Sequence, residues 1–103
     1  MSRRLVWLEE YGKKIQREVW ALDEDDGLVI TEGLGECGLW VITHAASGHR
    51  VGGFVWPFLC DAREFMDAIL PFADWTKPIA DLDLEKLKPL VLAEAKRIQA
   101  ARD

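Results

Sequence analysis

Leu39-Trp40-Val41-Ile42-Thr43-His44-Ala45-Ala46-Ser47-Gly48-His49-Arg50-Val51-Gly52-Gly53-Phe54-Val55-Trp56 decides how this chain is read. Residues 39–44 are dominated by β-branched and aromatic types, the composition of a strand. Ala45-Ala46-Ser47-Gly48 makes a tight loop in which Gly48 suits a positive φ. A return strand is predicted from His49 to Trp56, with Gly52-Gly53 marking a bulge and Pro57 ending it. Side chains alternate faces along a strand. Trp40 and Ile42 therefore oppose Leu39 and Val41, and Phe54 and Trp56 oppose Val51 and Val55. Neither face is polar, so both require a cover. Helices can cover one face. The second needs either a sheet curled over itself or another molecule, because an open face would be an apolar interaction patch. The expectation is a homodimer, or a complex with a protein partner, with Trp40, Phe54 and Trp56 at the contact.

Upstream, Gly27-Leu28-Val29-Ile30-Thr31 is a short β-rich run between Asp25-Asp26 and Gly33-Leu34-Gly35, both turn signals. The first 22 residues admit two readings. As a helix, Leu5, Leu8, Tyr11, Ile15, Val19 and Leu22 form an apolar stripe, supported by Glu9–Lys13 and Glu10–Lys14. As a hairpin, Gly12-Lys13 is the turn, pairing Val6 with Val19 and Leu5 with Trp20. The hairpin is favoured, because Gly12 costs a helix about 1 kcal/mol but serves a turn.

Downstream, a helix is predicted over residues 61–70, with Asp61 as N-cap, Glu64 completing a capping box and Pro71 as terminator. Phe65, Ile69, Ala62 and Met66 face inward. A second helix is predicted over 83–101, with Leu84, Leu87, Val91, Ala95 and Ile98 as its inner stripe and a kink or division at Pro89. The fold class is thus α+β: an antiparallel β-meander of four or five strands within about residues 3–56, then two C-terminal α-helices.

Length and composition agree with one domain. The chain has 103 residues, half of them apolar and five of them tryptophan, which is enough for a single core. Its net charge of −5 argues against a mainly electrostatic grip on nucleic acid. The charge is uneven. Arg3, Arg4, Lys13, Lys14 and Arg17 make the N-terminal part basic, whereas Asp23, Glu24, Asp25, Asp26, Glu32 and Glu36 make the next stretch acidic. That acidic run reads as a solvated connection or as a patch for a basic partner. Cys37 and Cys60 form no C-x-x-C pair, and no signal-peptide core or membrane-spanning apolar run is present, so a cytoplasmic protein is expected.

Chemistry-bearing residues gather at the hairpin tip. His44 and His49 flank the loop, with Ser47 and Arg50 beside them, and a symmetric loop would bring the two imidazoles face to face. The simplest reading is a polar tip with exposed histidines. A metal site needs three or four ligands, and no third is evident. Ser47 lacks a nucleophile-elbow motif, and no Walker A, dinucleotide or EF-hand pattern occurs. No catalytic residue, metal or cofactor is therefore assigned.

Trp40-Val41-Ile42-Thr43-His44-Ala45-Ala46-Ser47-Gly48-His49-Arg50-Val51, with Asp61-Ala62…Phe65 and Asp74-Trp75 further on, resembles small uncharacterised bacterial, phage or mobile-element proteins. Those carry a W-x-V-T-H-x-x-S/T-G-x-x-V hairpin ahead of a D-A-x-x-F helix. The likeness covers about a third of the chain, with Ile42 where the pattern often has valine. It implies an accessory protein and transfers no catalytic residue. The sequence thus points to a non-enzymatic interaction module that self-associates through a tryptophan-containing sheet face. The alternative is a small-ligand or nucleic-acid binder using residues 44–50, and a small hydrolase or metalloenzyme ranks last.

Overall fold

The chain builds its core around two short strands and two helices. The computed structural model describes residues 2–10, 13–21, 26–33 and 36–102, with side chains described over 26–32 and 39–102. In chain order the elements are β1 (Ser2–Glu10), β2 (Lys13–Ala21), β3 (Leu28–Gly33), β4 (Glu36–His44), α1 (Leu59–Ile69) and α2 (Leu84–Arg102). Single 3₁₀ turns at Leu70–Phe72 and Ile79–Asp81 join the helices.

The α+β class holds, but a meander of four or five strands is not what forms. β1 and β2 make one antiparallel ribbon, which meets β3 at a single register pair, Ala21↔Thr31. Over the residues with described side chains the sheet is one two-stranded antiparallel pair, β3 with β4. The strand expected at 49–56 is reduced to two isolated bridges, Thr43↔Arg50 and Trp40↔Trp56. The physical reason lies at Gly52-Gly53. Gly52 takes φ +70, and the register changes between the two bridges, so a continuous ladder is broken.

The N-terminal segment is a hairpin rather than a helix, although its register differs from the sequence expectation. Val6 pairs with Arg17 and Leu5 with Glu18, not with Val19 and Trp20. This register sets Glu9 opposite Lys14 and Glu10 opposite Lys13, opposite charges at facing positions. The expected turn residue Gly12 lies outside the described residues.

Within the β3–β4 pair, Leu28, Ile30 and Ile42 join the helices in one apolar cluster, with Trp40 packed against it. The other face carries Val29, Thr31, Val41 and Thr43, all buried, and the Thr31 and Thr43 hydroxyls lie 3.3 Å apart. Both faces are covered within this single chain. The sheet therefore does not need a second copy to hide it.

Trp56 fills the centre, 5.0 Å from the Phe65 ring, with Phe54 5.8 Å from Phe65. From α1 come Ala62, Phe65, Met66 and Ile69, and from α2 come Leu87, Val91, Ala95 and Ile98, each set at helical spacing. Leu84, expected inside, is 39% exposed.

One helix end and one expected break differ from their sequence reading. Asp61 is not the N-cap, because α1 starts at Leu59 after an extended Phe58. Its carboxylate is instead held by Arg102, which donates from Nε at 2.9 Å and Nη2 at 2.8 Å while stacking on the Phe58 ring. At α2 the Asp83 side chain does cap, accepting the Lys86 N–H at 3.2 Å. The helix then runs unbroken through Pro89. Pro89 and Glu85 are both exposed, so the carbonyl that proline leaves without a donor faces water.

The Arg102 hydrogen bonds hold the Asp61 carboxyl below its ordinary value. A folded-state value below the unfolded one means the pairing stabilises the fold above about pH 4 and ceases to do so as pH falls through the lowered value. Arg102→Met should therefore narrow its stability gap from the native chain on acidification. Urea midpoints measured from pH 7 down to about pH 2 test this, and a gap independent of pH would remove the ion pair from the account.

Candidate functional site: an apolar cleft beside the hairpin tip

The hairpin tip is built around His44, and the structure reverses its expected role. His44 ends β4 and is 2% exposed. Its Nε2–H donates to the Lys77 carbonyl at 2.9 Å, since a carbonyl can only accept. Its Nδ1 pairs with the Ser47 hydroxyl at 2.7 Å. The Ser47 oxygen also accepts the His49 N–H at 3.2 Å, and the Gly48 N–H reaches the His44 carbonyl at 2.8 Å. Gly48 adopts φ +77, the conformation its place in the loop predicted. His44 thus staples the tip to the loop before α2. The two histidines do stand opposite each other across the loop, the backbone N–H of His44 donating to the His49 carbonyl at 2.8 Å, but they are not exposed: His44 is buried and His49 half-buried.

The Ser47–His44 contact has the distance of an activated hydroxyl, but both residues belong to one turn, and Ser47 is also engaged by a backbone N–H. It is turn chemistry. Among the described residues no three His, Cys, Asp or Glu side chains gather as a metal site. His44→Ala should destabilise by about 2–3 kcal/mol, since it empties a buried ring site and removes the hydrogen bonds to the Lys77 carbonyl and to Ser47, which keeps only the His49 N–H. Thermal denaturation measures this, and a change within about 0.5 kcal/mol would return His44 to the surface.

Beside this staple lies a cleft of about 410 Å³. One wall is the irregular return segment, from His49 through Val51 to Phe54. A second is the 75–84 connection, with Trp75, Ile79, Leu82 and Leu84. The third is the first half of α2, with Leu87, Lys88, Val91 and Leu92. Trp75 is fixed in place: its Nε1–H donates to the Ile69 carbonyl at 3.0 Å, and its ring meets His44 edge-on at 6.5 Å. Such a volume with mainly apolar walls is in the range of small-molecule sites.

Of the residues singled out in the sequence, His44, His49, Arg50 and Phe54 line this cleft, whereas Ser47 does not. The three tryptophan-face residues are divided by the fold. Trp56 is 2% exposed and belongs to the core, Trp40 is half-buried against it, and Phe54 reaches the cleft. Sequence reasoning missed Trp75, Leu82 and Lys88. The available signal was Leu84, Lys88 and Leu92, one helix flank at steps of four with a cation between two leucines. A scan of protein-family models and searches of curated proteins and of solved structures find no match to this chain.

Proposed function

We propose that this chain is a non-enzymatic binding protein that holds a small, largely apolar molecule in the cleft between the hairpin tip and α2. The observation that supports this reading is the cleft itself: aromatic and aliphatic side chains from three segments, with a few polar groups in the same lining. The His44 hydrogen bond to the Lys77 carbonyl and the edge contact of its ring with Trp75 tie the hairpin tip to the 75–84 wall. A cytoplasmic setting belongs to the same proposal and is supported by the exposed free thiol of Cys60. Among the described residues, no helix is long and apolar enough to cross a membrane. The accessory role implied by the hairpin resemblance is compatible with such a module.

The test is thermal. At ten times its Kd, a neutral probe such as 1-octanol should add about 1.4 kcal/mol to stability. That corresponds to a Tm rise of about 5 °C or more for a domain of this size. Leu92→Asp, at an exposed position on the cleft wall, should remove the rise without unfolding the chain. No rise with the native chain, or an equal rise in the variant, would defeat the cleft as a binding site.

Self-association is the second reading, and it now rests on α2 rather than on the tryptophan face. Leu84, Leu90 and Leu92 remain 39%, 40% and 41% exposed. A twofold contact on the Leu90 side of α2, the side away from Leu84 and Leu92, would cover Leu90 and leave the buried Trp56 untouched. Sedimentation giving twice 11.7 kDa for the native chain and monomer for Leu90→Asp would favour it.

A further inference from the structure

We propose that two copies of this chain join edge to edge, β1 running antiparallel to β1 about a twofold axis at Val6. This contact is independent of the cleft and different from the α2 contact considered above. Its ground is the edge itself. β2 pairs with β1 along the whole strand and meets β3 at Ala21↔Thr31, so β1 is the outer strand of the ribbon. Among the described residues, nothing pairs with the far side of β1. A strand edge presents a row of backbone donors and acceptors, and proteins ordinarily blunt it with shortness, a bulge, a proline or charges. β1 is nine residues long, contains no proline or glycine, and pairs with β2 without a bulge. Its charges lie only towards the ends, Arg3-Arg4 at one and Glu9-Glu10 at the other, with Leu5-Val6-Trp7-Leu8 between them.

That order is complementary to its own reverse. Residues directly opposite across antiparallel strands share a side of the sheet, so a twofold axis normal to the sheet sets one residue opposite its own copy. With Val6 at the axis, Arg3 faces the partner's Glu9 and Leu5 faces the partner's Trp7. Arg4 then lies diagonal to the partner's Glu10, and the symmetry repeats each contact at the other end. Other arrangements do worse. Centring on Trp7 puts Leu5 opposite Glu9, and centring on Leu5 leaves Glu9 and Glu10 past the end of the pairing. Parallel addition sets arginine beside arginine and glutamate beside glutamate, which is destabilising. Within its own ribbon Glu9 stands opposite Lys14, whereas Arg3 stands opposite Trp20 and Arg4 opposite Val19. The join therefore places Glu9 between a lysine and an arginine in one row, and sets a carboxylate beside each arginine.

Sedimentation of the full chain at micromolar concentration should report twice 11.7 kDa. Arg3→Glu combined with Arg4→Glu sets like charges at both ends of the join and should weaken the dimer about tenfold or more. Salt should weaken the native dimer and strengthen that of the double variant, since it screens attraction in one and repulsion in the other. Leu90→Asp should leave the native dimer unchanged. Cross-linking tests the register without relying on the double variant to fold. In a Cys60→Ser background, Val6→Cys should oxidise to a covalent dimer, because a residue facing its own copy is within disulfide reach. Arg4→Cys should not, its copy standing about 13 Å away along the strand. A native chain that sediments as a monomer would overturn the edge contact and leave the cleft reading intact. A dimer that survives the double variant but yields to Leu90→Asp would overturn it in favour of α2. So would Val6→Cys cross-linking no faster than its Cys60→Ser parent.

Discussion

Trp56→Ala should lower the unfolding free energy by about 3–5 kcal/mol, the range for truncating a large aromatic in a packed interior. Trp56 is 2% exposed, its ring lies 5.0 Å from Phe65 and 6.2 Å from Phe54, and its backbone closes both hydrogen bonds of the bridge to Trp40. Removing the indole leaves a void bounded by β4, the return segment and α1, three pieces that cannot all move inward. A loss of this size is a large share of the ~5–15 kcal/mol available to a domain. A control separates packing from polarity. The Trp56 Nε1–H is buried and finds no acceptor among the described residues. Trp56→Phe discards that donor, whose unpaired burial costs about 1–3 kcal/mol, and keeps most of the ring. It should therefore cost far less than Trp56→Ala. Urea midpoints with unchanged m-values measure both. Equal losses in the two variants would mean that the indole nitrogen, not the packing, carries the residue's contribution.

Gly27→Ala should be nearly as damaging, by about 2–4 kcal/mol, although it adds only a methyl group. Gly27 leads into β3 with φ +93, a conformation that L side chains rarely adopt. A Cβ there would overlap the backbone carbonyl of Trp75 and press on the Thr76 amide. The Gly27 carbonyl also accepts the Ala45 N–H at 2.9 Å, so the glycine cannot retreat without opening the β3–β4 end. The displaced segment carries Trp75 and the Lys77 carbonyl that holds His44, so cleft binding should fall together with stability. Gly53→Ala is the comparison: nothing lies within 4 Å of a Cβ there. If Gly27→Ala matched Gly53→Ala in its midpoint, the close approach of the two loops would be refuted.

The helices were legible because their signals are local. Phe65 and Ile69 in α1, and Leu87, Val91, Ala95 and Ile98 in α2, recur at the period of one helix face, and Pro71 marks a boundary by its own chemistry. The loop at Ser47-Gly48 and the break at Gly52-Gly53 were legible for the same reason, since glycine conformational freedom acts at a single residue. Asp61 was misread because a capping box and an ion pair look alike in one dimension. Its partner Arg102 sits forty-one residues away.

By itself the sequence determined that strands would form near residues 27–31 and 39–44, that neither face of the 39–44 strand could remain open, and that two helices would close one of them. Those follow from residue type and alternation, which any register preserves. What covers the second face, and which aromatics become core rather than surface, depended on long-range packing. The same alternation that sets Trp40 and Trp56 on one face cannot say that Trp56 is enclosed by Phe65 while Trp40 stays half-buried. His44 shows this most clearly. A histidine beside a polar loop reads as exposed, yet the 75–78 connection passes close enough to place the Lys77 carbonyl on its Nε2 and Trp75 against its ring. The cleft arises from that same crossing. Its walls come from segments distant in the chain, and only their meeting sets Arg50 and Lys88 around one apolar space.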